Sequence, residues 1–278
     1  MKYSYSAALV ATFLVLFTTG SDGQKFVKGL KSFQDRKACN GCMYKPYAFP
    51  KVPVRDVNSW DLACRSPDMA TKPNAFKINS DDVLVIEFEN DVKLDYISEK
   101  QGGGKAQNIW GPCVVYMAEA KDTSKPLKWF KIFEYAGDKD AWCSEKIATL
   151  GALNVPMKTD LKSGDYIVRA EVIALNMADK LSSEGYSMGA QFYPSCGLVT
   201  LTNVKGGKKA PTNTVTIPGM YNATSPSLLL EDGIVNTKAV SYTVPGPKEF
   251  APPNGGHTEM YAQPLNPAYL VDNTIPGP

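Results

Sequence analysis

The sequence predicts an all-β protein, a sandwich of two sheets, and three observations carry that reading. Short runs rich in Val, Ile and aromatic residues recur along the chain. Gly and Pro clusters punctuate them, and no long stretch has an amphipathic helical period. At 278 residues the chain is long for an average domain, but a sandwich of this size is ordinary as one unit.

Alternation and turn chemistry place the elements in order. Residues 26–30 read as a short first strand, followed by an irregular segment to residue 63 that carries Pro46, Pro50 and Pro53. Residues 82–89 alternate most clearly, Val83 and Val85 against Leu84 and Ile86. Residues 112–118 and 129–133 read as buried strands, and 147–155 as an apolar run stopped by Pro156. Residues 166–175 form a strand. Asp179, Ser182, Ser183, Gly185 and Ser187 supply a turn region, and a second strand begins near Gln191. Residues 198–204, 214–217 and 240–244 complete the strand set.

Composition narrows the function. Thirty basic and 28 acidic residues give a net charge of +2, with no basic stripe, so nucleic acid is not an expected partner. Residues 1–23 read as a secretory signal peptide: Lys2 is the positive start, residues 7–17 the apolar region and 18–23 the small-residue cleavage zone. That apolar run is about half of the ~20 residues a membrane span needs. The expected product is therefore extracellular, off the membrane after cleavage, and monomeric. It has a domain over 24–247 and a Pro/Gly-rich tail over 248–278, which lacks the hydrophobic end of a lipid anchor. Secretion makes Cys39, Cys42, Cys64, Cys113, Cys143 and Cys196 disulfide partners, in any of 15 connectivities. A zinc or redox reading of Cys39-Asn-Gly-Cys42 lacks both a second ligand pair and a βαβ context. Asn222-Ala-Thr224 is a glycosylation sequon.

Several ordered motifs then carry a resemblance. Arg169-x-Glu171-x-Ile173-Ala174-Leu175 is followed by Gly189-Ala190-Gln191-Phe192-Tyr193-Pro194-x-Cys196. Trp60-Asp-Leu-Ala-Cys64, Gly111-Pro112-x-Val-Val-Tyr116, Pro218-Gly-x-Tyr221 and Tyr242-Thr-Val-Pro-Gly-Pro247 keep their order around them. This set resembles the family 9 fungal lytic polysaccharide monooxygenases from about residue 26 to residue 247. The resemblance implies an immunoglobulin-like or fibronectin-like β-sandwich with long loops, a Cys64–Cys196 disulfide, and oxidative cleavage of cellulose or hemicellulose at one copper ion. In that family two histidines brace the copper, a tyrosine lies axial, and a histidine and a glutamine stand behind them.

The departures fall on the metal site. By the family pattern Gln24 takes the place of the N-terminal brace histidine and Ile109 that of the second. Asn176 replaces the histidine behind them, while Gln191 and Tyr193 keep their family positions. The sequence contains one histidine, His257, in the tail, so two imidazoles are not available. No cofactor is expected, because amide and alkyl side chains do not select copper. Arg169 and Glu171 share a strand face and read as a solvated or structural pair rather than as acid–base catalysts, and no spacing marks two glycosidase carboxylates. The expected function is binding of cellulose or another cell-wall polysaccharide without copper catalysis, with loop aromatics Tyr44, Tyr47, Trp110, Tyr186, Tyr261 and Tyr269 as candidate sugar contacts. The alternatives are copper-dependent cleavage through a non-standard site, and a structural or protein-binding role at the cell wall.

Overall fold

The computed structural model describes residues 27–46, 52–66, 68–88, 109–123, 125–157, 160–185 and 188–250. Its strands are β1 (Val27–Ser32), β2 (Phe76–Asn79), β3 (Val83–Phe88), β4 (Cys113–Glu119), β5 (Phe130–Tyr135), β6 (Ala152–Pro156), β7 (Gly164–Ala174) and β8 (Gln191–Thr202). Two short helices, α1 (Asp61–Cys64) and α2 (Cys143–Leu150), sit between them. No helix among the described residues is long and apolar enough to cross a membrane.

Side-chain period sorts the strands into layers. In β3, Leu84, Ile86 and Phe88 are buried while Val83, Val85 and Glu87 are half-buried, as a strand with one covered face requires. It lies between β1 and β6, antiparallel to both, in a three-stranded sheet. The second sheet has five strands in the order β2-β8-β7-β4-β5, antiparallel except for the β2–β8 pair. Here β4 and most of β7 are buried on both faces. Their inner residues, such as Val115, Val168 and Val172, meet the three-stranded sheet in one apolar cluster. Their outer residues, such as Val114, Ile167 and Ile173, pack under loops and the C-terminal segment in a second cluster. The all-β, two-sheet expectation therefore holds, with a roof of loops over one sheet.

Several boundaries differ from the pattern reading. Residues 191–202 form one strand, so the runs near 191 and 198 are continuous. Four-residue β2 is additional, and 147–155 divides between α2 and β6. Residues 240–244 are not a strand: a 3₁₀ turn covers Ala239–Ser241. Residues 214–217 contribute a single bridge, Val215 to Trp129. The six cysteines form three disulfides: Cys39–Cys42, Cys64–Cys196 and Cys113–Cys143, with Cα separations of 5.8, 5.3 and 5.7 Å. The second ties α1 to β8 and the third ties β4 to α2.

An ion pair sits at the centre of the outer cluster. Arg169 and Glu171 are both sealed from solvent on β7 and meet through two guanidinium–carboxylate bonds of 3.0 and 2.5 Å. Arg169 also donates to the carbonyls of Leu62 (2.7 Å) and Ala63 (2.7 Å), filling its fork with the turns of α1. Glu171 accepts the Tyr221 hydroxyl at 2.6 Å, and Tyr221 meets the Tyr116 hydroxyl at 3.3 Å. Burial, then the Glu171 charge, pushes the Tyr221 phenol well above its ordinary range, so it remains a donor. Removing one member strands a buried charge, so Glu171→Ala is expected to cost about 3–5 kcal/mol in urea unfolding. Glu171→Gln also leaves the guanidinium without a counter-charge, but it keeps the side-chain volume and one acceptor oxygen and should cost less. Equal midpoints for wild type and Glu171→Ala would show that the pair does not carry this load.

Candidate functional site

The connected end of the β7–β8 hairpin, where Ala174 faces Gln191, gathers the residues of interest. Gln191 and Tyr193 are two apart on β8 and so project to one side of the sheet. The Tyr193 hydroxyl donates to Gln191 Oε1 at 2.9 Å, and both residues are buried. Tyr193 belongs to the core between the sheets, with Val172, Ala174 and Ile109.

Residues 109–112 lie alongside the end of β7 as a continuation of β4. The Leu175 N–H donates to the Trp110 carbonyl (2.8 Å) and the Ile173 N–H to that of Pro112 (3.1 Å). This approach demands Gly111, because a Cβ there would stand 1.8 Å from the Ile173 carbonyl oxygen. Asn176 fixes the same segment, its Oδ1 accepting the Trp110 N–H at 3.0 Å. Ile109 is 1% exposed, and its carbonyl takes the Ser144 hydroxyl from α2. The Trp110 indole donates to Glu145 Oε1 (3.0 Å), while Glu145 Oε2 accepts the Trp142 N–H (2.9 Å) at the start of α2. Half-buried Trp110 is thus held by both α2 and Asn176.

A cation stands nearby. Arg65 closes α1 in the left-handed region (φ 51°) and is buried. Burial lowers its pKa, opposed by the nearby Asp61 carboxylate. The local side chains are therefore a phenol and two primary amides, with an alkyl chain at Ile109. Among the described residues, no group of three or more His, Cys, Asp or Glu side chains is arranged to hold a metal ion.

Of the residues singled out from sequence, the structure brings Ile109, Asn176, Gln191 and Tyr193 to one end of the sandwich. Gln24, Tyr47, Tyr186, Tyr261 and Tyr269 lie outside the described residues. Tyr44 is a correction: it is buried beneath the chain crossing β8, its N–H on the Cys196 carbonyl, and it presents no ring to a ligand. Burial pushes its phenol up to about 12, and its hydroxyl has no hydrogen-bond partner among the described residues. The sequence reading passed over Trp60, which stands 71% exposed at the head of α1, and Arg65. Trp60 was findable as a lone large ring among Asn58, Ser59 and Asp61; Arg65 had no such signal beyond its place beside Cys64. Asn222, in the sequon, is exposed and its Oδ1 accepts both the N–H and the hydroxyl of Thr224.

Two substitutions separate packing from polar anchoring at this end. Ile109→Ala should cost about 2–5 kcal/mol, the range for truncating a buried aliphatic side chain. Asn176→Ala should cost about 1–3 kcal/mol by orphaning the Trp110 N–H. Urea unfolding of both variants measures these losses, and a cost near zero for Ile109→Ala would contradict its place in the core.

Comparison with known proteins gives this arrangement a family. The model of Auxiliary Activity family 9 (formerly GH61) matches residues 17–242. An AA9 family lytic polysaccharide monooxygenase B of Thermothelomyces thermophilus is 34% identical over 221 residues, covering 74% of this chain and 62% of the relative. The chain thus spans less than two thirds of that relative. The monooxygenase AA9-X282 of Trametes coccinea is 32% identical over 207 residues, 72% of this chain and 70% of its own. Among solved structures, CvAA9A superposes with a TM-score of 0.67 at 22% identity, covering 81% of this chain and 97% of that one. The glycoside hydrolase family 61 member Cel61B from Hypocrea jecorina gives 0.64 at 19% identity, over 81% and 100%. Motifs, two-sheet fold and family model agree: the chain belongs to auxiliary activity family 9.

Proposed function

We propose that this chain is a secreted, polysaccharide-binding member of its family that does not carry out copper-dependent oxidation. The observation that carries the reading is Ile109, an alkyl side chain sealed in the core, which the motif resemblance aligns with a brace histidine. The rest of the donor set supports it. Asn176 Oδ1 is engaged by the Trp110 N–H and the Tyr193 hydroxyl by Gln191, and the 278 residues contain a single histidine. Copper selects imidazole and thiolate over amide and alkyl groups, so these residues do not fit a histidine-braced copper ion.

Polysaccharide binding is what the family scaffold supports once that chemistry is set aside. A sugar chain offers apolar ring faces and many hydroxyls, and Trp60 provides an exposed ring with the area to stack on one. Residues 1–23 deliver the protein to the exterior, where such polymers are found.

Copper loading followed by metal quantification tests the first half. The expected result is no stoichiometric copper and no reductant-dependent release of oxidised oligosaccharides from cellulose or xylan. One tightly held copper per chain, with oxidised products, would overturn it. Retention on insoluble cellulose, xylan or β-glucan tests the second half. Trp60→Ala is expected to weaken retention without lowering the melting temperature, and a wild-type protein that washes through every polysaccharide would refute the binding role.

A further inference from the structure

Beyond the hairpin end, the segment 222–243 folds back on itself and leaves a groove of about 490 Å³, within the ~300–1,000 Å³ of small-ligand sites. None of Ile109, Asn176, Gln191 and Tyr193 lines it. One wall is the Tyr242 ring. Its hydroxyl donates to the Ser227 carbonyl and its ring meets Trp142 edge-on at 5.3 Å and 73°, so the ring is held in place before any ligand arrives. Leu229 supplies a second apolar surface.

The polar lining has one sign. The Thr237 hydroxyl donates to the Gly233 carbonyl (3.1 Å) and the Ser241 hydroxyl to that of Lys238 (3.2 Å). With their protons so directed, both oxygens present lone pairs. Glu231 and Asp232 add exposed carboxylates, and among the described residues no Lys, Arg or His lines the groove. A ligand suited to these walls donates several hydrogen bonds, carries no negative charge and has apolar faces for Tyr242 and Leu229. Anionic sugars would face two carboxylates without a counter-charge.

From these features we infer that the groove is a binding subsite for a neutral saccharide chain, with Asp232, Ser241 and Thr237 accepting from sugar hydroxyls and Tyr242 and Leu229 covering ring faces. The saccharide identity rests on the polysaccharide-binding reading above, whereas the location and the preference for neutral sugars are additional to it.

Titration calorimetry with cellohexaose, xylohexaose, laminarihexaose and trigalacturonate tests the groove on the full-length secreted protein. Retention on insoluble cellulose, xylan and β-glucan is measured in parallel. Asp232→Ala removes an acceptor and Ser241→Trp fills the groove; both positions are exposed, so the fold should tolerate them. The expected result is saturable binding of at least one neutral hexaose, weakened about tenfold or more by each variant at an unchanged melting temperature. Binding that both variants leave intact would overturn the groove while leaving polysaccharide binding standing. Tighter binding of trigalacturonate than of any neutral hexaose would overturn the ligand class. A wild-type protein that binds no soluble or insoluble glycan would overturn both.

Discussion

The structure hangs on a charge pair placed where charge is most costly. Arg169 and Glu171 lie in the middle of β7, a strand covered on both sides, and neither reaches solvent. Such a pair is tolerated only when every donor and lone pair is matched. Matching them recruits distant segments: α1 through the Leu62 and Ala63 carbonyls, the C-terminal segment through Tyr221, and β4 through Tyr116. Tyr221 then stacks on Phe192 of β8, with ring centroids 5.1 Å apart and 23° between planes. Residues far apart in sequence therefore share one polar centre, and the roof over the five-stranded sheet is fixed by electrostatics as well as apolar contact.

Another buried cation repeats the device nearer the edge. Lys131 on β5 is 1% exposed, bonded to Glu134 (2.5 Å) and to the Pro245 carbonyl (2.9 Å). Burial lowers its pKa, with Glu134 acting in the opposite direction. Gly246 passes so close that a Cβ would stand 2.4 Å from the Tyr116 hydroxyl, and its φ of 99° is one that side-chain-bearing residues avoid. The Pro-Gly-Pro sequence at 245–247 thus has a packing reason that its composition, which suggests a generic turn, does not disclose.

What the sequence disclosed, and what it hid, follows the range of the forces involved. Strands such as β3 were legible because alternation is local. The four residues of β2 offer too short a pattern, and their parallel pairing to β8 is a long-range choice. Pro194 concealed the continuity of β8, since a proline argues against a central strand. The Phe192 N–H bonds to the Val54 carbonyl and the Leu198 N–H to that of Cys42, so even-numbered residues of β8 direct their backbone away from β7, toward crossing loops. The N–H that Pro194 lacks falls on that side, where β7 does not need it. The β-branched run at 240–244 misled in the other direction: it lies in a roof segment where a 3₁₀ turn covers Ala239–Ser241, and it joins neither sheet among the described residues. At the candidate site, the identities of Ile109, Asn176, Gln191 and Tyr193 were readable from motif order, but their partners were not. That Asn176 accepts from Trp110, or that Tyr44 is buried, depends on contacts between segments tens of residues apart or more.

Those partners bear on how a site can lose a metal and keep its fold. On the proposed reading, removing a brace would leave polar groups at the hairpin end without their ligand, and an unmatched buried polar group costs about 1–3 kcal/mol. Here the groups turn on one another: the phenol of Tyr193 satisfies Gln191, and Asn176 satisfies a backbone N–H. Ile109 needs no partner and adds its side chain to the core between the sheets. None of these substitutions touches Arg169, Glu171 or the carbonyls they hold, so the scaffold is indifferent to the chemistry at that end of the hairpin. That separation is why the motif around β7 and β8 reports the fold so clearly while saying little, by itself, about activity.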